Sequence, residues 1–230
     1  MIEISNLSKH FFIGEKRIDV LRELSLNIKK DKITVILGRS GCGKTTLLRL
    51  IAGLESVSQG EIKFKEQAKI GFVFQEPRLM PFLNVYENIV FALKKQDIEA
   101  EKIGSLISMI GLSDFKFAAV SQLSGGMSSR VSLARVLAYE ANLILMDEPF
   151  AALDAFTRAS MQAEILKIQA DKTILFVTHN IDEALFLADE IILLEKGGIK
   201  SNYELSNLAR PRDLLSDELI AIKRKILSEI

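Results

Sequence analysis

Cysteine is almost absent from this chain. Cys42 is the only one in 230 residues, so no internal disulfide can form and a reducing compartment is expected. Charge of either sign is not in excess, with 30 Lys+Arg against 30 Asp+Glu, which removes bulk attraction to nucleic acid as an organising force. No apolar run approaches the ~18–20 residues that cross a bilayer. Met1-Ile2-Glu3-Ile4-Ser5 lacks the charged-then-apolar pattern of a secretory leader. Any work at a membrane therefore needs a partner to hold the chain there. Internal repeats, low-complexity tracts and long linkers are missing as well. What is present suits a globular protein of one or two domains with ample core: 48% of residues are hydrophobic and 26% charged.

One stretch organises the rest. Gly38-Arg39-Ser40-Gly41-Cys42-Gly43-Lys44-Thr45 has the form G-x-x-x-x-G-K-[ST]. It follows a β-branched run at 32–37 that predicts a buried strand and precedes a leucine-rich stretch at 46–52 that predicts a helix. Glycines let successive N–H groups point inward at an anion. The helix adds its positive end. Lys44 brings a full charge to the β- and γ-phosphates of a nucleotide, and the Thr45 hydroxyl is a ligand for Mg²⁺.

Further strands are predicted at 2–4 and 24–28, with Gly14-Glu15-Lys16 as a turn, and at 60–64, 69–74, 142–146, 172–177 and 190–195. Lys196-Gly197-Gly198 reads as a hairpin turn returning into Ile199-Lys200. Helical periodicity covers 84–93, 98–110, 128–139, 156–169, 181–188 and 217–227. The pattern is α/β, with a helical insertion between strands of a sheet. Phe11 and Phe12 either enter the core, the usual fate of Phe, or supply a ring that stacks on a flat base. Val20 is a second candidate for padding that base or its ribose. Gln75 ends a strand, where its amide oxygen can reach a metal or an attacking water. The segment 78–83, Arg-Leu-Met-Pro-Phe-Leu, is either buried in the helical piece or an exposed apolar groove for a partner. Ser124 predicts an N-cap. Gly125 and Gly126 cost a helix about 1 kcal/mol each relative to alanine, so they predict a second helix start that a phosphate approaches closely. Asp147 and Glu148 stand together at the end of an apolar strand, a costly place for carboxylates unless a metal or charge meets them. Asp147 suits Mg²⁺ and Glu148 suits proton acceptance from water. His179, one of two histidines, lies at the same kind of strand end, where ligands of open α/β sheets gather.

In this order the pieces resemble the ATP-binding subunit of ABC transporters, over nearly the whole chain. Gly38 to Thr45 is similar to the Walker A loop, Gln75 to the Q-loop, Leu123 to Met127 to the signature, and Leu143 to Asp147 to the Walker B strand. Glu148 is similar to the catalytic glutamate, Asp154 to the D-loop aspartate, and His179 to the switch histidine. The resemblance implies a P-loop NTPase fold with a mixed-sheet core at 1–76 and 140–200. It places an N-terminal antiparallel β piece within that core, a helical subdomain at 77–139 and a helical tail at 201–230. It implies ATP and Mg²⁺ as cofactors. ATP contacts come from Phe11, Val20, Gly38, Arg39, Ser40, Gly41, Cys42, Gly43, Lys44, Thr45, Thr46 and Gln75. Metal contacts come from Thr45, Gln75 and Asp147, and catalysis from Glu148, His179 and Lys44.

The resemblance further implies a head-to-tail homodimer with two ATP molecules sandwiched. Ser124, Gly125, Gly126 and Met127 of one copy cover the nucleotide of the other, and Asp154 links the two. The partners implied are permease subunits docking near 76–92 and, indirectly, an extracytoplasmic solute-binding protein, with no nucleic acid. The place implied is the cytoplasmic face of the membrane. Stretches 77–88, 147–158 and 179–184 look like the nitrate/sulfonate/taurine importer branch. One departure is Met127, where the family has Gln, followed by Ser128-Ser129; a slower but live ATPase is expected. The rival readings are an ABC ATPase acting on ribosomes or DNA, which would carry a second cassette or a long coiled-coil insertion, and a nucleotide-binding regulatory module.

Overall fold

The computed structural model describes residues 1–230 apart from the side chain of Ala170. In chain order the elements are β1 (Ile2–Ile13), β2 (Lys16–Ile28), β3 (Ile33–Leu37), α1 (Lys44–Ile51), β4 (Gln59–Phe64), β5 (Ile70–Val73), α2 (Val85–Val90), α3 (Ala100–Met109), α4 (Gly125–Ala138), β6 (Leu143–Asp147), α5 (Ala155–Ile168), β7 (Thr173–Thr178), α6 (Ile181–Leu187), β8 (Glu190–Glu195), β9 (Gly198–Glu204) and α7 (Asp217–Glu229). They form two compact units, one from residues 1–68 and 169–230, the other from 69–168.

In the first unit β3 lies between β7 and β8, parallel to both, and β9 closes the edge antiparallel to β8. Every residue of β3 and β7 is buried, as expected of parallel strands covered on both faces. A separate antiparallel sheet has the order β2-β1-β4. Here the expected short strands at 2–4 and 24–28 are corrected. The chain forms one long hairpin with Ile13 opposite Lys16, because register shifts along the ladder let it continue through polar residues that break simple alternation. The expected helical tail at 201–230 is also corrected at its start, since β9 runs to Glu204. The Lys196-Gly197 turn, with φ of 48° and 83°, matches a tight hairpin that needs positive φ at both central residues.

In the second unit β5 pairs in parallel with β6, and the helices build their own core. Val85 and Ile89 of α2, Ile103 and Ile107 of α3, and Val131, Ala134 and Ala138 of α4 are buried together. These are i, i+4 and i, i+3 spacings that place each set on one helix face. Asn84 and Glu87 form a reciprocal capping box on α2, whereas α3 begins without a side-chain cap.

Candidate active site

Local chain geometry makes the phosphate loop. Gly41 and Gly43 take φ of 79° and 107°, a left-handed backbone that side chains resist. The loop is also seated tightly. A Cβ on Gly38 would stand 2.4 Å from the Leu194 carbonyl oxygen, and one on Gly43 would stand 2.7 Å from Leu21 Cδ2. The α1 helix that follows begins without a side-chain cap and without an acid in its first turn. Its first residue is instead Lys44, buried, whose Nζ donates to the carbonyls of Gly38 at 2.8 Å and Arg39 at 3.0 Å. A cation at an uncapped positive helix end opposes the macrodipole unless an anion joins it. Cys42 lies within the loop and is buried. Burial pushes its thiol up from the ordinary value, with the Lys44 charge working in the other direction.

The β1–β2 hairpin leans on this loop through β2. Beside the Leu21 contact, the Val20 carbonyl oxygen lies 3.0 Å from the Gly43 Cβ position. Phe11 pairs with Ile18 across the hairpin and is half-buried, whereas Phe12 is exposed. The two rings named together in the sequence therefore part company, and only Phe11 combines partial cover with a place on the strand pair that touches the loop.

His179 follows β7 directly and is exposed. The residues on either side of it are tied in place. Thr178 Oγ1 donates to Glu183 Oε2 at 2.7 Å, the Asn180 amide donates to Thr178 Oγ1 at 3.0 Å, and Asn180 Oδ1 caps α6 by accepting from the amides of Asp182 and Glu183.

In the second unit, Asp147 is the last residue of β6 and buried, and Glu148 is half-buried. Glu148 adopts φ 45°. Such a backbone in a non-glycine residue costs of order 1–3 kcal/mol and clusters at functional sites. Gln75 stands exposed just beyond β5. The segment after it is organised by two side chains that sequence reasoning left without a role. Arg135 donates to the carbonyls of Pro77 and Arg78 at 3.1 and 3.2 Å. Asn88, fully buried, donates to Met80, Leu83 and Asn84 carbonyls and accepts from the Met80 amide. A buried Asn one residue after an N3 glutamate was the available signal. Leu79 turns inward to the helical core, while Phe82 is 78% exposed, so the segment divides: one residue is partly buried against the helical piece and another lies open at the surface. A groove of about 440 Å³ is lined by Phe72, Phe74, Met80, Phe91 and Tyr139 among others.

Ser124 caps α4 by accepting from the Met127 amide at 3.2 Å. Gly125 and Gly126 are its first two residues. A Cβ on Gly126 would lie 3.3 Å from the Ala152 carbonyl oxygen, so the stretch before Asp154 borders the start of α4. Met127 packs on the helical core, a role for a flexible apolar chain that an amide would fill less well. Asp154 accepts from the Thr157 amide at 3.0 Å and hydroxyl at 2.6 Å, and these bonds hold its carboxyl below the usual range.

A family model described as "ABC transporter" matches residues 21–151. An ABC transporter ATP-binding protein of Methanocaldococcus jannaschii is 41% identical, the match covering 99% of this chain and 90% of that one. An aliphatic sulfonates import ATP-binding protein of Bacillus cereus is 38% identical over 99% of this chain and 95% of its own length. A spermidine/putrescine import ATP-binding protein of Bacteroides fragilis is 42% identical over 87% of this chain but only 46% of its own. Among solved structures, a dimeric ATP-binding cassette in a post-hydrolysis state with ADP and Pi matches with TM-score 0.80 and 32% identity, covering 89% of this chain and 99% of that one. This chain belongs to the ABC transporter ATP-binding proteins, as an ATP-binding cassette with ATPase activity.

Proposed function

We propose that this chain is the energising subunit of an importer for a small solute of the sulfonate, nitrate or taurine kind, acting as a homodimer on the cytoplasmic face of the membrane. The observation that carries ATP chemistry to these residues is the α1 start: an uncapped helix end with buried Lys44 and two left-handed glycines, built for a polyphosphate. Lys44 and the loop amides from Gly38 to Thr46 bind the phosphates, and Phe11 and Val20 hold the adenine. Ser124, Gly125 and Gly126 of the second copy close over the γ-phosphate, with Asp154 linking the copies. One glycine loop leaves that phosphate open on one side, and a second helix start supplies the missing donors.

Among the described residues no cluster of three or more His, Cys, Asp or Glu side chains forms a metal site. The hard oxygens of Thr45 and Asp147, with Gln75, suit Mg²⁺, which takes few protein ligands beside phosphate and water. When bound, that ion neutralises charge developing on the transferred phosphoryl. Glu148 accepts a proton from the attacking water, and its unusual backbone aims the carboxylate. His179, between the tethered residues Thr178 and Asn180, holds the γ-phosphate.

The groove lined by Met80 and Phe91, with the exposed Phe82 from the same segment, receives a permease segment. Met80→Asp with Phe82→Asp uncouples the subunit from that permease while ATP binding persists; retained co-purification argues against the docking site. The cargo assignment rests on similarity to sulfonate importers, and uptake assays with taurine, alkyl sulfonates, nitrate and spermidine in cells lacking this subunit discriminate the classes. The central test is Glu148→Gln in the transporter complex. It should bind ATP with phosphate release down at least about a hundredfold, and it should dimerise with ATP in light scattering. Near-normal turnover, or a monomer under saturating ATP, would refute the mechanism.

A further inference from the structure

Lys9 is an ion in an unusual place. It is 7% exposed, although lysines are rarely buried without a reason. Its Nζ donates to the Ser56 carbonyl at 2.7 Å and pairs with Glu55 at 3.3 Å. The same Nζ lies 4.6 Å from the centroid of the Phe11 ring, within range of a cation–π attraction. The strand register sets Lys9 opposite Leu21, and Leu21 is the side chain packed against Gly43 of the phosphate loop. The residues Lys9 grips follow α1, the helix that begins at Lys44. This stretch is also pinned to β1 by the Ser58 amide donating to the Ser8 carbonyl and by the His10 amide donating to Ser58 Oγ.

We propose that Lys9 is a positioning residue for the adenine of ATP. It anchors one face of the Phe11 ring and ties that ring, through its bond to the Ser56 carbonyl, to the chain that follows the helix carrying the phosphate site, so that the other face is presented to the base at a fixed distance from the triphosphate; Glu55 balances its charge. A buried ion pair alone would need only Glu55 and the Ser56 carbonyl. The aromatic face adds a third partner whose sole link to nucleotide is its ring. This inference rests on Phe11 being the adenine-stacking residue.

The test separates base from phosphates. Affinities of the full-length protein for Mg-ATP and for inorganic tripolyphosphate are measured by titration calorimetry for the parent, Phe11→Ala, Lys9→Met, the double variant, Lys9→Arg and Glu55→Gln. Lys9→Met should weaken ATP about three- to tenfold with tripolyphosphate unchanged, and should add nothing in the Phe11→Ala background. Lys9→Arg, which keeps a cation for the ring, and Glu55→Gln, which breaks the ion pair but keeps the cation, should lower Tm without moving the ATP-to-tripolyphosphate ratio. Equal losses for both ligands, or full additivity with Phe11→Ala while Phe11→Ala itself weakens ATP, would overturn the role of Lys9 and leave that of Phe11 standing. An unchanged ATP affinity in Phe11→Ala would overturn both. Should Lys9→Met not fold, a ratio lost in Lys9→Arg and Glu55→Gln in step with their Tm would reduce Lys9 to a structural tie.

Discussion

Replacing Gly125 by alanine should separate folding from catalysis. The residue opens α4, and its φ is not among the positive values, so alanine fits the backbone. The nearest atom to its added Cβ, outside the helix itself, is Ala152 Cβ at 3.9 Å, an ordinary contact. Alanine outranks glycine by about 1 kcal/mol in a helix interior; in a first turn about half to all of that applies. The variant should therefore gain about 0.5–1 kcal/mol, which for a chain of this size is a rise in Tm of about 1–4 °C. Gly126→Ala should gain less, because its Cβ meets both the Ala152 carbonyl oxygen and Leu153 Cδ2 at 3.3 Å and something must give. The same methyl at 125 stands over amides assigned to a phosphate held by the other copy. Losing one such donor set costs about a hundredfold or more, so phosphate release by the transporter complex should fall while Tm rises. Thermal melts and a phosphate-release assay on the two variants decide the matter. A drop in Tm for Gly125→Ala would refute the packing argument, and unchanged phosphate release would refute the approach of a phosphate to this helix start.

Other outcomes follow from single side chains. Arg212 is buried, donates to the carbonyls of Leu185, Ala188 and Leu205, and burial pushes its pKa down to about 10, so it stays charged at neutral pH. Arg212→Met should cost about 3 kcal/mol by stranding these acceptors, seen in denaturant melts; a loss under about 1 kcal/mol means water replaces the guanidinium. Because burial raises the Cys42 thiol, maleimide labelling should be slow at pH 7, climb roughly tenfold per pH unit beyond pH 8, and be blocked by Mg-ATP; a rate flat from pH 7 to 9 contradicts the raised thiol. Met127→Gln should lower stability by about 1 kcal/mol through lost apolar cover while raising turnover, and unchanged turnover would leave the position a purely packing one.

Much of this protein was legible in its sequence because its key geometry is local. The phosphate loop needs only glycines at 41 and 43 between a buried strand and a helix, and neighbouring residues dictate that bend. The cap at Ser124, the turn at Lys196-Gly197 and the acids at the end of β6 are likewise settled within a few residues of chain, whereas Asn84, read as the first residue of a helix, is its cap. The reach of β1 and β2 was not legible, because a bulged ladder erases the alternation that marks strands. Nor were the fates of Leu79 and Phe82, three residues apart in one apolar loop, since which one turns inward depends on helices far along the chain.

Spacing alone pointed to the chemistry proposed here: a loop suited to a polyphosphate, with two carboxylates and a histidine at strand ends. Only the tertiary structure decided that Lys9 lies under Phe11, that Met127 packs, partly buried, against the helical core, that Arg135 and Asn88 shape the loop beyond Gln75, and that Glu148 bears a left-handed backbone. Each depends on contacts between residues distant in sequence or on a dihedral angle, and a one-dimensional pattern carries neither.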